Sequence, residues 1–229
     1  MAFLPPNPLD LHGGCFCGAI RYTINVPALE DRPLVPNMLK TPIGSDKMVD
    51  TRWPTIELDH CDSRRHAAGA IIQCWLICPA PWISWSLLKR SSNVGPAQSP
   101  LPASRNEQSE GREAFSAVDV SHPTGSKKQE ALADTYLSSF STSNTVHRAF
   151  CGRCGTNLTY YYEQEPSDER VPRIDITVGS LDTSSLTATG VRPDRHGWWS
   201  DGVEWVQKLL FAGDTTLIRH PEGNIGVKV

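Results

Sequence analysis

Alternation of apolar and polar positions dominates this chain, and its period is that of β-strands. Ala19 to Val26 alternates, carries β-branched residues and is stopped by Pro27, which predicts a strand. Ile71 to Cys78 predicts a second, with Ile72, Cys74, Leu76 and Cys78 on one face and Ile71, Gln73, Trp75 and Ile77 on the other. Pro79 and Pro81 end it, and Trp82 to Leu88 reads as a third. Order returns over Leu132 to Phe140, and Val146–Phe150, Leu158–Tyr162 and Arg173–Ser180 complete the set, with a turn at Leu181 to Ser185. Residues 27–56 carry five prolines and little periodicity, so a long loop is expected there. From Lys89 to about Lys128 the chain turns to Ser, Pro, Gly, Asn and Glu, which predicts a largely disordered insertion at 89–128, with Glu107–Ala117 as a short helix candidate. The tail aromatics around Trp198, Trp199 and Trp205 are expected to cover a sheet or line a cleft. No internal repeat is visible, and residues 1–229 are read as one mainly β domain with long loop insertions.

The cysteines change this picture. Phe150-Cys151-Gly152-Arg153-Cys154-Gly155 is a Cys-x-x-Cys knuckle in which each cysteine is followed by glycine, and Gly14-Cys15-Phe16-Cys17-Gly18 is a second knuckle near the other end. Alone, Cys-x-x-Cys also fits a redox pair and Cys-x-Cys two buried thiols. Together they predict a tetrahedral four-cysteine zinc site, formed by Cys15, Cys17, Cys151 and Cys154, that pins distant parts of the chain. Closing so long a loop is tolerable because loop entropy grows only logarithmically with length. Seven cysteines is an odd number and Met1–Pro6 lacks a basic n-region, so neither a disulfide framework nor a signal peptide is expected. Cys74 and Cys78 share a face with Ile72 and Leu76 and are read as core thiols.

Charge and hydropathy narrow the function classes. A net charge of −3 gives no reason to expect nucleic acid as a partner. No apolar run reaches the length of a membrane span. A cytoplasmic protein with reduced cysteines and a small-molecule substrate is expected.

Three motifs in order, Gly14-Cys15-Phe16-Cys17-Gly18-Ala19-Ile20-Arg21-Tyr22, Phe150 to Thr156, and Asp175-Ile176-Thr177-Val178-Gly179-Ser180-Leu181-Asp182, resemble the glutathione-dependent formaldehyde-activating enzyme family. Its relatives include the centromere protein V type domain. The match runs from about Gly13 to Trp205, with two long segments that have no counterpart in a typical member. The resemblance implies a β-tent, antiparallel sheets leaning together around a zinc on Cys15, Cys17, Cys151 and Cys154. It also implies carbon–sulfur lyase-like chemistry with glutathione as cosubstrate, the joining of formaldehyde to glutathione as S-hydroxymethylglutathione; the alternatives are the same fold repurposed for dehydration, isomerisation or cleavage of another small molecule, or a non-catalytic zinc-stabilised binding module.

One motif departs from the family. Members usually carry Cys-His-Cys-x-x-Cys between the knuckles, whose three thiolates hold a second, labile zinc. Here the stretch is Asp59-His60-Cys61-Asp62-Ser63-Arg64, so Cys61 matches the second cysteine while Asp59 and Arg64 replace the first and third. Two readings follow. Asp59 and Cys61, completed by His60 or His66, hold a second and weaker zinc; or the site is metal-free and Cys61 is a free thiol. Either way the catalytic candidates are Cys61, Asp59, Arg64 and His196, in a cleft near Trp198 and Trp205. Arg64 and Arg65 are candidates for pairing with substrate carboxylates, and His196 for moving a proton.

Overall fold

The computed structural model describes residues 4–36, 41–43, 47–90, 111–121, 128–164 and 170–213. Two sheets carry the fold. The first is antiparallel, in the order β1 (Leu9–Gly14), β2 (Ile20–Val26), β7 (Ile83–Leu88) and β8 (Arg112–Ser116). The second has seven strands, in the order β13 (Arg195–Gly197), β5 (Thr55–Asp59), β6 (Gln73–Pro79), β12 (Arg173–Thr177), β11 (Asn157–Tyr162), β10 (Val146–Cys151) and β9 (Leu137–Ser143). All its pairs are antiparallel except β13 with β5 at the edge. A small hairpin joins β3 (Thr41–Ile43) and β4 (Lys47–Val49). The helices are short: α1 (Asp62–Ala68), α2 (Ala117–Ser121), α3 (Gln129–Ala133), α4 (Thr183–Leu186) and α5 (Glu204–Ala212).

The alternation read from sequence sets the core. Ile20, Tyr22, Ile24 and Val26 of β2 point inward with Ile83, Trp85 and Leu87 of β7, and all are buried. From the larger sheet Ile56, Leu76, Cys78, Leu158, Ile174 and Ile176 join the same cluster. Each such side chain contributes ~1.5–3 kcal/mol on leaving water. Cys78 is fully buried and Cys74 packs against the cluster, as expected of core thiols, and burial pushes the Cys74 thiol up to about 11.

Several expectations are corrected. The insertion expected at 89–128 contains structure at 112–121, where β8 completes the first sheet and Phe115, Ala117 and Val120 are buried. The helix candidate Glu107–Ala117 is likewise replaced over Arg112–Ser116 by strand. Phe115 on β8 and Ala117 and Val120 on α2 supply inward anchors that the polar composition around them masks. Residues 91–110 and 122–127 lie outside the described residues. Within 27–56 a bridge between Leu34 and Arg52 and the β3–β4 hairpin replace a plain loop, and β5 begins at Thr55. Ala67-Ala68-Gly69 is the end of α1, closed by Gly69 in the left-handed conformation at φ 64°. Trp198 and Trp205 are 60% and 57% exposed, so neither covers a sheet. On α5 it is Val206 that turns inward, and its neighbour Trp205 lies about 100° round the helix.

Candidate metal centre and the polar face beside it

Both knuckles are strand-to-strand turns. Cys15 follows β1 and Gly18 lets the chain double back into β2 at φ 74°, with the Gly18 N–H donating to the Cys15 carbonyl at 3.0 Å. Cys151 ends β10, Gly155 turns at φ 76°, and its N–H donates to the Cys151 carbonyl at 2.8 Å before β11 begins. The turns dock on each other: the Phe16 N–H donates to Thr156 Oγ1 at 3.0 Å. The cluster therefore joins the first sheet to the second across 134 residues of chain.

The four sulfurs of Cys15, Cys17, Cys151 and Cys154 lie within 4.8 Å of one another. Cys15 and Cys17 are 3.5 Å apart and Cys17 and Cys151 3.7 Å, close to the ~3.8 Å edge of a tetrahedron with zinc–sulfur bonds of about 2.3 Å. The Ile20 N–H donates to Cys15 Sγ at 3.2 Å, a contact that stabilises a thiolate. Metal-free, the thiols titrate against each other. Hydrogen bonds from Cys15 and Cys151 push Cys17 down, whereas Cys151 is pushed up by Cys15 and Cys17. One thiolate is tolerated, and further ones need a cation. Donor type, spacing and burial fit a structural zinc-type ion, which would be held by these four sulfurs.

The second motif is built differently. Asp59 ends β5 and is wholly buried. Its Oδ1 accepts from the Cys61 N–H at 2.9 Å, and its Oδ2 accepts from Trp75 Nε1 at 3.0 Å and from the Arg64 guanidinium. Helix α1 brings Arg64 down onto the outer face of the larger sheet. There it also meets Glu57 and Asp175, each at 3.9 Å, and lies 4.2 Å from the centre of the Tyr160 ring. Burial alone would lower the Arg64 guanidinium, but Asp175 and the Asp59 hydrogen bond outweigh it and hold it above its ordinary value. Burial raises Glu57 and lifts Asp175 to about 7, against the opposing pull of Arg64.

Cys61 precedes α1, is partly exposed, and has its sulfur 3.2 Å from Ser63 Oγ. His196 Nδ1 is 3.0 Å from His60 Nε2, and both rings pack against Trp199. No hydrogen bond or ring contact joins His196 to Cys61 among the described residues. The expected constellation is thus split: Asp59 and Arg64 form one ion pair beside Cys61, and His196 belongs to a histidine–tryptophan cluster on β13. Burial and then His196 lower His60. A second zinc does not fit these donors. The carboxylate oxygens of Asp59 are occupied by Arg64, Trp75 and the Cys61 N–H, and the four-cysteine cluster is the one group of three or more metal donors among the described residues. Arg65 is paired with Asp62, so it too is taken.

Two features escaped sequence reasoning. Asp175 reads as the polar side of an alternating strand, yet it is 4% exposed because α1 covers that face. Arg148 lies on β10 between Val146 and Phe150 and is 2% exposed. A charged residue sharing strand parity with two apolar ones was the available signal. A cavity of about 420 Å³ lies elsewhere, between Leu29, Arg52, Trp53, Ile56 and Arg192. Compared with known proteins, the chain matches no family model and no curated protein. No helix among the described residues is long and apolar enough to cross a membrane.

Proposed function

We propose that this chain is a zinc-stapled β-tent domain of the formaldehyde-activating type, acting on a small thiol or carbonyl compound at Cys61 with no second metal. The observation that carries an enzymatic reading is Asp175. A buried carboxyl poised at about 7 beside Arg64, whose other partner Asp59 accepts from the Cys61 N–H, is more than a scaffold needs and suits proton transfer at neutral pH. The four-cysteine ion keeps the two sheets in register and stays out of the chemistry.

The reaction class that suits these groups is reversible carbon–sulfur bond formation. A thiol sulfur adds to a carbonyl carbon, the C=O π bond breaks, and the thiol proton ends on the new hydroxyl oxygen. Asp175, through the Arg64 network, is the group proposed to balance that proton. The Asp59–Arg64 pair occupies the ground that a metal would need, so the proton is moved by the Asp175 carboxyl while the Arg64 guanidinium, always charged, holds the neighbouring carboxylates in place. Exchange of formaldehyde with glutathione, followed by two-dimensional NMR exchange spectroscopy, tests this: the chain should accelerate formation of the hydroxymethyl adduct, and Cys61→Ala and Asp175→Asn should each abolish the acceleration. Full activity in Cys61→Ala would sink the reading.

A further inference from the structure

Among the described residues Arg148 is a buried charge with no carboxylate partner. It is 2% exposed, its Nε and Nη1 are sealed from solvent, and neither has a hydrogen-bond partner. Strand register puts it opposite Tyr160, which in turn faces Asp175, so all three share the outer face of the larger sheet. Its guanidinium carbon is 4.9 Å from the centre of the Tyr160 ring, the ring that Arg64 also touches. Burial and then the positive charge of Arg64 lower the Arg148 guanidinium, while Tyr160, Cys61 and Asp59 pull the other way.

The contrast with Arg64 is instructive. Arg64 has three carboxylates around it, Asp59, Glu57 and Asp175. Arg148 has none among the described residues, and Asp59, a carboxylate whose charge acts on it, already serves Arg64, Trp75 and the Cys61 N–H. A ring face offsets only part of the desolvation of a guanidinium. An apolar side chain of the same volume would be more stable in that place. A buried arginine kept with its donors unspent is a receptor for an anion.

We propose that Arg148 anchors the carboxylate of a small-molecule ligand and holds that ligand beside the Cys61 thiol. A guanidinium presents parallel N–H donors that match the two oxygens of a carboxylate. A single negative charge fits better than the two of a phosphate, because Asp59, Glu57 and Asp175 lie on the same face. The assignment also replaces Arg64 and Arg65 as carboxylate partners, since both are paired within the protein. It rests on the proposed small-molecule site at Cys61 for its location, but it is read by binding rather than by turnover.

The experiment uses the zinc-loaded full chain with nitrogen-15 label. The Arg148 Nε–H resonance is assigned by its disappearance in Arg148→Lys. Sodium acetate is then titrated against sodium chloride at fixed ionic strength. The expected result is a saturable shift of the Arg148 Nε–H and of the Cys61 amide, with a midpoint roughly in the millimolar range for so small an anion, and a weaker response to sulfate. No saturable shift with acetate, or a drift equal to that in chloride, overturns the proposal; a stronger response to sulfate overturns the carboxylate assignment. As a second readout, Arg148→Met should melt at or above the wild type in chloride and lose the rise in Tm that acetate gives the wild type. Equal acetate stabilisation of both proteins overturns the site. If Arg148→Met fails to fold, the wild-type titration decides alone. Failure here with Cys61→Ala still inactive would leave the enzymatic reading standing, so the two outcomes separate.

Discussion

The two cysteine regions of this chain face the same demand and meet it in opposite ways. At Cys15, Cys17, Cys151 and Cys154 four soft donors converge with sulfur spacings that suit a tetrahedral ion, and backbone N–H groups approach from behind. At Asp59 and Cys61 the one carboxylate is surrounded by donors of its own, an indole, an amide and a guanidinium. The first arrangement is short of positive charge and the second already contains it. Sequence proximity of metal-binding residue types is therefore not enough: the lone pairs must also be unspent.

The largest effect that would break this comparison is at the first region. Cys151→Ser should lose the bound ion and unfold the domain, since a structural zinc contributes roughly 10 kcal/mol of apparent folding free energy. Soluble, folded Cys151→Ser protein with unchanged zinc content, measured by metal analysis and circular dichroism, would refute the four-cysteine assignment. Metal analysis of the wild type should give one zinc per chain, and two would restore a metal at Asp59 and Cys61.

Next is Arg64→Met, which leaves the buried Asp59 charge with only neutral donors. It should cost about 3–5 kcal/mol in urea unfolding. Adding Asp59→Asn should recover part of that, with a coupling of roughly 1–3 kcal/mol. Additive losses would show that the two side chains do not depend on each other.

A smaller effect depends on pH. Burial raises the Asp175 carboxyl from 3.8 to about 7. Between those values the folded chain holds a proton that the unfolded chain has released. Stability from this group therefore falls as pH rises through that window and is level above it. The stability of Asp175→Asn relative to wild type should accordingly improve by roughly 1–3 kcal/mol between pH 4 and pH 8. A difference independent of pH would mean that Arg64 keeps Asp175 ionised throughout.

The smallest effect is on Cys61. The thiol is partly exposed and its sulfur hydrogen-bonds to Ser63, so Cys61→Ala should change stability by about 0.5 kcal/mol or less and leave zinc content untouched. A large loss of either would place Cys61 in a metal centre after all.

How much of this was legible beforehand follows the range of the interactions. Strands β2, β6, β7, β10, β11 and β12 were readable because alternation is local and one face of each meets the core. Strand β1 was hidden by Gly13 and Gly14, which interrupt its alternation. Strand β8 was hidden inside a polar stretch, because Phe115 is its one buried residue. Helix α1 was missed although Ala67, Ala68 and Gly69 are a helix-end signal, since seven residues hold too few turns to show a period.

Spacing within the chain determined the two cysteine pairs: two tight turns, each with a glycine to reverse the backbone, bring paired sulfurs to one side, and only the docking of the turns across 134 residues makes them one group. What only the tertiary structure decided is where charge is neutralised. The pairing of Asp59 with Arg64, the burial of Asp175 and the isolation of Arg148 all arise when α1 closes over one face of a seven-stranded sheet. Coulomb energy and desolvation depend on distance and depth, and neither quantity is written along the chain.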